Sequence, residues 1–138
     1  MAQHAVASQW MGKMQFNALV NDHVIIMDAP ERGGGEDNGS IPKPFILTAL
    51  TGCAGMELLV VLKKNNIVLK ELNIKATGEL TKQIPFHYTE INVDFEIKAN
   101  EEDKTKIVES VDLMMSSICG VSYMLQKIMP VVWQVKFQ

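Results

Sequence analysis

Residues 45–64 read FILTALTGCAGMELLVVLKK, and the fold turns on how this stretch is read. Its length suits a helix, yet apolar side chains lie almost all round it, from Phe45, Ile46 and Leu47 through Leu50 and Met56 to Leu58, Leu59, Val61 and Leu62. A helix that is apolar on every side has to be covered on every side. One small monomer has too little chain for that, which predicts a second subunit over part of it. Pro44 stands before the run and Asn65-Asn66 ends it. Its least polar part, Ile46 to Leu62, is 17 residues long and contains Glu57, too short and too charged to read as a membrane span.

Ahead of this helix, Asp28 to Pro44 is a long break rich in Pro and Gly. Loops of that length in small domains tend to be functional or disordered. Gly33-Gly34-Gly35 lacks the Gly-Lys-Ser/Thr that completes a phosphate loop and reads as a flexible segment. Trp10 to Val20 alternates as one strand, Asn21-Asp22 marks a turn, and His23 to Met27 forms a second strand of a hairpin. Residues 1–9 read as a loose leader, with a single domain over 10–138.

After the helix, Val68 to Thr81 carries a strand pattern. Thr89 to Lys98 is cleaner still: Ile91, Val93, Phe95 and Ile97 alternate strictly with polar residues. Asn100 is placed to cap a helix whose first turn is acidic, through Glu101, Glu102 and Asp103. That helix carries Ile107, Val111, Met114, Ile118, Met124, Leu125 and Ile128, with Gly120 as a break and Pro130 as a stop. The methionines read as core filler. Val131, Trp133, Val135 and Phe137 close the chain as a strand. The order ββ-α-ββ-α(α)-β predicts an α+β fold with antiparallel sheets.

Composition narrows the function. The 138 residues are 47% apolar and 21% charged, with a net charge of −3. That is ordinary globular material. With no Lys/Arg stripe, nucleic-acid binding by phosphate neutralisation is not expected. Residues 1–13 lack the apolar core of a secretory signal, which predicts a cytoplasmic protein with reduced thiols. His4, His23 and His87 share no ligand spacing with the two cysteines, so neither a zinc site nor any other cofactor is predicted.

Cys53 and Cys119 remain. Cys53 lies in Thr51-Gly52-Cys53-Ala54-Gly55, where two helical glycines cost about 1 kcal/mol each relative to alanine. Close helix–helix packing would repay that, as would a thiol needing access. Cys119 lies in a second small-residue patch, Ser116-Ser117-Ile118-Cys119-Gly120-Val121. The two could face each other across a helix contact, which would permit a reversible disulfide if their Cα atoms come within about 7 Å. Cys53 is too far into its helix for the dipole to activate it. Arg32 and Lys43 are the cations that could do so, or else solvated loop charges. Glu57, one turn after Cys53, is either a carboxylate near the thiol or a residue reaching solvent or a subunit boundary.

The segment Ile41-Pro42-Lys43-Pro44-Phe45-Ile46-Leu47-Thr48-Ala49-Leu50-Thr51-Gly52-Cys53 resembles the Pro-x-x-Leu-Leu-x-Ala-Leu-x-Gly-Cys signature of the OsmC/Ohr family. Ser116 to Val121 resembles that family's second cysteine motif, and the loop before the helix agrees. The resemblance spans about residues 10–138. It implies an intertwined homodimer with a long central apolar helix, and a thiol peroxidase acting on organic hydroperoxides. In that chemistry Cys53 would be the peroxidatic thiol, Cys119 the resolving one, and an external dithiol the reductant. Family peroxidases organise their thiolate with a loop arginine and a glutamate. Arg32 stands near the first, but Lys43 occupies the position of the second. The chain therefore resembles the branch of OsmC-like redox proteins without that pair. The alternative it implies is a non-catalytic module that binds a small hydrophobic ligand or senses redox state.

Overall fold

The helix α1 runs from Phe45 to Lys64 in the computed structural model, which describes residues 2–138. Both ends follow local chemistry. The chain turns in through Phe45 N–H to Pro42 C=O (3.0 Å) and Ile46 N–H to Lys43 C=O (3.1 Å). At the far end Asn66 adopts a left-handed conformation (φ 57°). The amides of Asn66 and Ile67 then bond back to the carbonyls of Lys63 and Leu62, at 3.0 Å each. Asparagine is among the few residues that tolerate this helix-ending geometry.

Contacts gather the chain into two compact units, one up to Ile46 and one from Leu47. The first is a three-stranded antiparallel meander of β1 (Ala7–Gly12), β2 (Gln15–Val20) and β3 (His23–Met27). The strand expected over Trp10–Val20 is thus two strands. Gly12 (φ 108°) and Lys13 (φ 47°) turn the chain between them, and Trp10 Nε1 donates to the Lys13 carbonyl (2.8 Å). Residues 7–9, expected in a loose leader, pair with β2. Asn21-Asp22 forms the expected two-residue hairpin turn, both residues at positive φ.

The long loop after β3 is pinned rather than free. The carboxylate of buried Asp28 accepts from the amides of Ala29 (2.8 Å), Glu36 (3.2 Å) and Asn38 (3.1 Å). Gly35 passes so close that an added Cβ would lie 2.0 Å from the Ala29 carbonyl oxygen. The Gly33–Gly35 segment is therefore fixed by a close backbone approach, not flexible. The Asn38 amide, against the opposing effect of burial and together with the Ala29 and Glu36 amides, holds the Asp28 carboxyl below its ordinary pKa. A lowered carboxylate pKa adds stability that is complete above the unfolded pKa, about 3.9, and is lost as pH falls through the folded value. In Asp28→Asn an amide group would confront backbone donors. We expect its melting temperature to fall by several degrees at pH 7 and to vary less below pH 5 than that of the parent, as thermal unfolding across pH would measure.

The second unit packs α1 against a mixed sheet of β4 (Glu71–Leu80), β5 (Tyr88–Lys98) and β6 (Val131–Phe137). Leu50, Ala54, Leu58 and Leu62, spaced four apart, form the buried stripe of α1. They meet Ile91, Val93, Phe95 and Ile97 of β5 in one core with Ile107, Val111, Met114 and Met115. Met124, expected as filler, is instead 60% exposed. The β4–β5 pair is antiparallel, but β5 and β6 are parallel, contrary to the expectation of antiparallel sheets throughout. The reason is the connection. A long, mostly helical connection separates the two strands, which is what a parallel crossover requires.

That crossover starts with a 3₁₀ turn (Glu101–Asp103) and continues as α2 (Lys104–Leu113). Asn100 stands at the cap position, but its side chain makes no capping bond. Its carbonyl accepts from the Asp103 amide (3.1 Å), because the first turn is 3₁₀. A π-helical turn (Met114–Ile118) follows, and α3 (Gly120–Gln126) leaves at 67°. The break falls on Cys119, which is extended (φ −67°, ψ 110°), one residue before the Gly120 expected to cause it.

The helix α1 is also long and apolar enough to cross a membrane by length and composition, its most apolar 18 residues having a mean hydropathy of 2.1. Its buried stripe nevertheless serves as the core of the second unit.

Candidate active site

Two elements of the second unit bring the cysteines together. Cys53 lies midway along α1, half-buried beside the core stripe, and Cys119 is fully buried at the break between the π-helical turn and α3. Cys53 packs against the core that holds Cys119, close enough for its thiol to act on that of Cys119. Both are free thiols in this structure.

Their surroundings differ. Burial pushes the Cys119 thiol up to about 11. The Ser122 amide pulls the other way, and the Cys53 thiol adds to the rise. Cys119 Sγ is itself the N-cap of α3, accepting from Ser122 N–H at 3.4 Å. Cysteine here takes the place usually held by Ser, Thr, Asp or Asn. At neutral pH Cys119 is therefore an un-ionised, enclosed thiol, while its neighbour Cys53 has access to the surface.

The glycines flanking Cys53 divide the two explanations offered by the sequence. An added Cβ on Gly55 would lie 3.2 Å from Ile74 Cδ1, so this glycine lets α1 lie against β4, a helix–sheet contact rather than the helix–helix contact expected. Gly52 meets nothing within 4 Å. An added Cβ there would face open space. A shallow groove of about 380 Å³ runs between α1 and β4, lined by Gly52, Gly55, Met56, Leu59, Leu72 and Ile74 among others, but not by Cys53.

Glu57 is half-buried one turn after Cys53, and it takes part in none of the ion pairs among the described residues. Arg32 is exposed in the 3₁₀ turn Glu31–Gly33, and Lys43 is half-buried in the turn leading into α1. Both belong to the first unit, and neither forms an ion pair among the described residues.

Sequence reading missed the polar group that builds the Cys119 corner. The π-helical turn and the break at Cys119 leave the Met115 carbonyl without a helical partner. Ser122 Oγ (2.9 Å) and Gln126 Nε2 (2.9 Å) both donate to it, and Gln126 Nε2 also bonds to Ser122 Oγ (2.8 Å). The only hint was the i, i+4 spacing of two polar residues on an otherwise apolar segment. Nothing local announces a π-turn.

The family model for OsmC-like protein matches residues 34–134. The chain is similar to Protein YhfA of Escherichia coli strain K12, at 26% identity over 86% of this chain and 87% of the relative. Its fold matches the crystal structure of an OsmC-like protein from Mycoplasma pneumoniae, with a TM-score of 0.83 and 20% identity, covering 99% of this chain and 97% of the other. It also matches the organic hydroperoxide resistance protein OhrB of Bacillus subtilis, with a TM-score of 0.67 and 20% identity over 98% of each chain. The family match covers well over half of the chain and includes both cysteine motifs; this protein belongs to the OsmC-like family.

Proposed function

We propose that this protein is a cysteine-dependent hydroperoxide reductase. The observation that carries the reading is the neighbourhood of two unlike thiols in one core, one half-buried and one buried and un-ionised. Cys53 thiolate attacks the outer oxygen of an organic hydroperoxide. The O–O bond breaks, Cys53 becomes a sulfenic acid, and the alkoxide leaves and is protonated to the alcohol. The Cys119 sulfur then attacks the Cys53 sulfur. The hydroxyl departs with the Cys119 proton as water, and a disulfide remains. An external dithiol takes the oxidation away by exchange, restoring both thiols. A buried thiol held at about 11 is poorly ionised, so it resists direct attack and waits for its neighbour.

A thiol count tests this. One equivalent of cumene hydroperoxide should consume two thiols per chain within seconds, and a dithiol should restore both. Two thiols still titratable after minutes would sink the reading. That outcome would favour a non-catalytic module that binds a small hydrophobic ligand or senses redox state. Lys43, standing where family peroxidases carry a glutamate, supports this second reading.

The same proposal includes a homodimer in the cytoplasm. On α1, Met56 (73% exposed), Leu59, Val60 and Ile46 are bare, and the β1–β3 sheet bares Trp10, Phe16, Leu19 and Val24. A three-stranded sheet with this much open apolar surface needs a cover. A second copy of the chain would supply it. Light scattering should give twice 15.4 kDa, and a mass near 15.4 kDa would refute the dimer.

A further inference from the structure

We propose that Ser122 and Gln126 are positioning residues that set the reactivity of the thiol pair, by clamping the Met115 carbonyl and so fixing the bend that carries Cys119. This deepens the proposed function and rests on the pairing of Cys53 with Cys119.

The bend is costly to hold. A π-helical turn ends in an extended residue, and the chain changes direction by 67° within a few residues. A buried carbonyl without a donor is destabilising. Here the Met115 oxygen has two donors, and the donors bond to each other. Ser122 belongs to both halves of the device. Its hydroxyl holds the turn before the bend, and its amide holds the Cys119 sulfur after it. Ser122 is fully buried, whereas Gln126 reaches in from the surface. A closed triangle of hydrogen bonds with no spare donor direction confines the Cys119 sulfur to one place, against Cys53. A pair of thiols held in contact has a high effective concentration for one another, and that sets how readily their disulfide forms. Neither Ser122 nor Gln126 touches a reacting atom through its side chain, so both act through Cys119.

The test uses the full-length protein and no peroxide. The protein is equilibrated with mixtures of reduced and oxidised dithiothreitol, and the Cys53–Cys119 disulfide is counted by alkylation. In this exchange Cys53 thiolate opens the cyclic disulfide to a mixed disulfide. Cys119 then displaces the reagent, which leaves as the dithiol with two electrons and two protons. Gln126→Met keeps the length of the side chain and removes its donor, at a surface position where folding is not at risk. Ser122→Ala removes the hydroxyl and keeps the amide. We expect each variant to form the disulfide about tenfold less favourably than the parent, a shift of about 30 mV. The rate at which iodoacetamide alkylates Cys53 should stay within about twofold, and Gln126→Glu, which cannot donate, should not rescue. A merely structural role would lower the melting temperature and leave the exchange equilibrium alone. An equilibrium within twofold of the parent in Gln126→Met overturns the proposal, as does a parent protein that forms no disulfide at any dithiothreitol ratio. Because no hydroperoxide enters, a protein that fails as a peroxidase can still pass this test, and the two failures are told apart.

Discussion

Cys53→Ser should reduce the consumption of an organic hydroperoxide to the level of the protein-free reaction. The nucleophile in the proposed step is a thiolate, and a serine hydroxyl is not appreciably ionised at neutral pH. The variant should keep its fold, since Cys53 is half-buried and the exchange swaps sulfur for a smaller oxygen beside Gly52, which meets nothing within 4 Å. Cys119 cannot substitute. It is fully buried, and its thiol is pushed up to about 11 by burial, against the pull of the Ser122 amide. The measurement is hydroperoxide remaining over time, with circular dichroism to confirm folding. Full activity in Cys53→Ser would eliminate the mechanism.

Cys119→Ser should behave in the opposite way. The first step survives, so one equivalent of hydroperoxide is consumed at close to the parental rate. Turnover then stops with one sulfenic acid per chain, which a dimedone-type reagent traps and mass spectrometry counts. Serine is a better N-cap than cysteine, so the start of α3 should hold. The variant also isolates a pH effect. A thiol whose folded pKa is raised contributes stability that is complete below its ordinary pKa, about 8.5. That contribution is lost as pH rises through the folded value, about 11. The parent should therefore lose stability to urea more steeply across this alkaline range than Cys119→Ser. Parallel slopes would mean that Cys119 is not held un-ionised by burial.

The site was legible in the sequence to the extent that it is local. Both cysteines stand out because each interrupts an apolar helical segment with small residues. Their contact was not legible. Sixty-six residues and two strands separate them, and the bend that turns Cys119 toward α1 depends on a carbonyl clamp with no sequence signature of its own. The two flanking glycines show the same division. In the sequence Gly52 and Gly55 are equivalent. In the fold, one lies against Ile74 and the other faces open space.

The sequence by itself determined what periodicity and punctuation can determine. It set the bounds of α1 between Pro44 and Asn65-Asn66, the inward and outward faces of β5, the Asn21-Asp22 turn, and the membership that two cysteine motifs in register announce. Those features depend on side chains a few residues apart, whose geometry the backbone dictates. Only the tertiary structure decided that β6 runs parallel to β5, that Asp28 ties down the long loop, and that a π-turn aims Cys119 at Cys53. Each of these rests on a partner brought close by folding. A pattern along one segment carries no information about which distant group will satisfy its buried polar atoms.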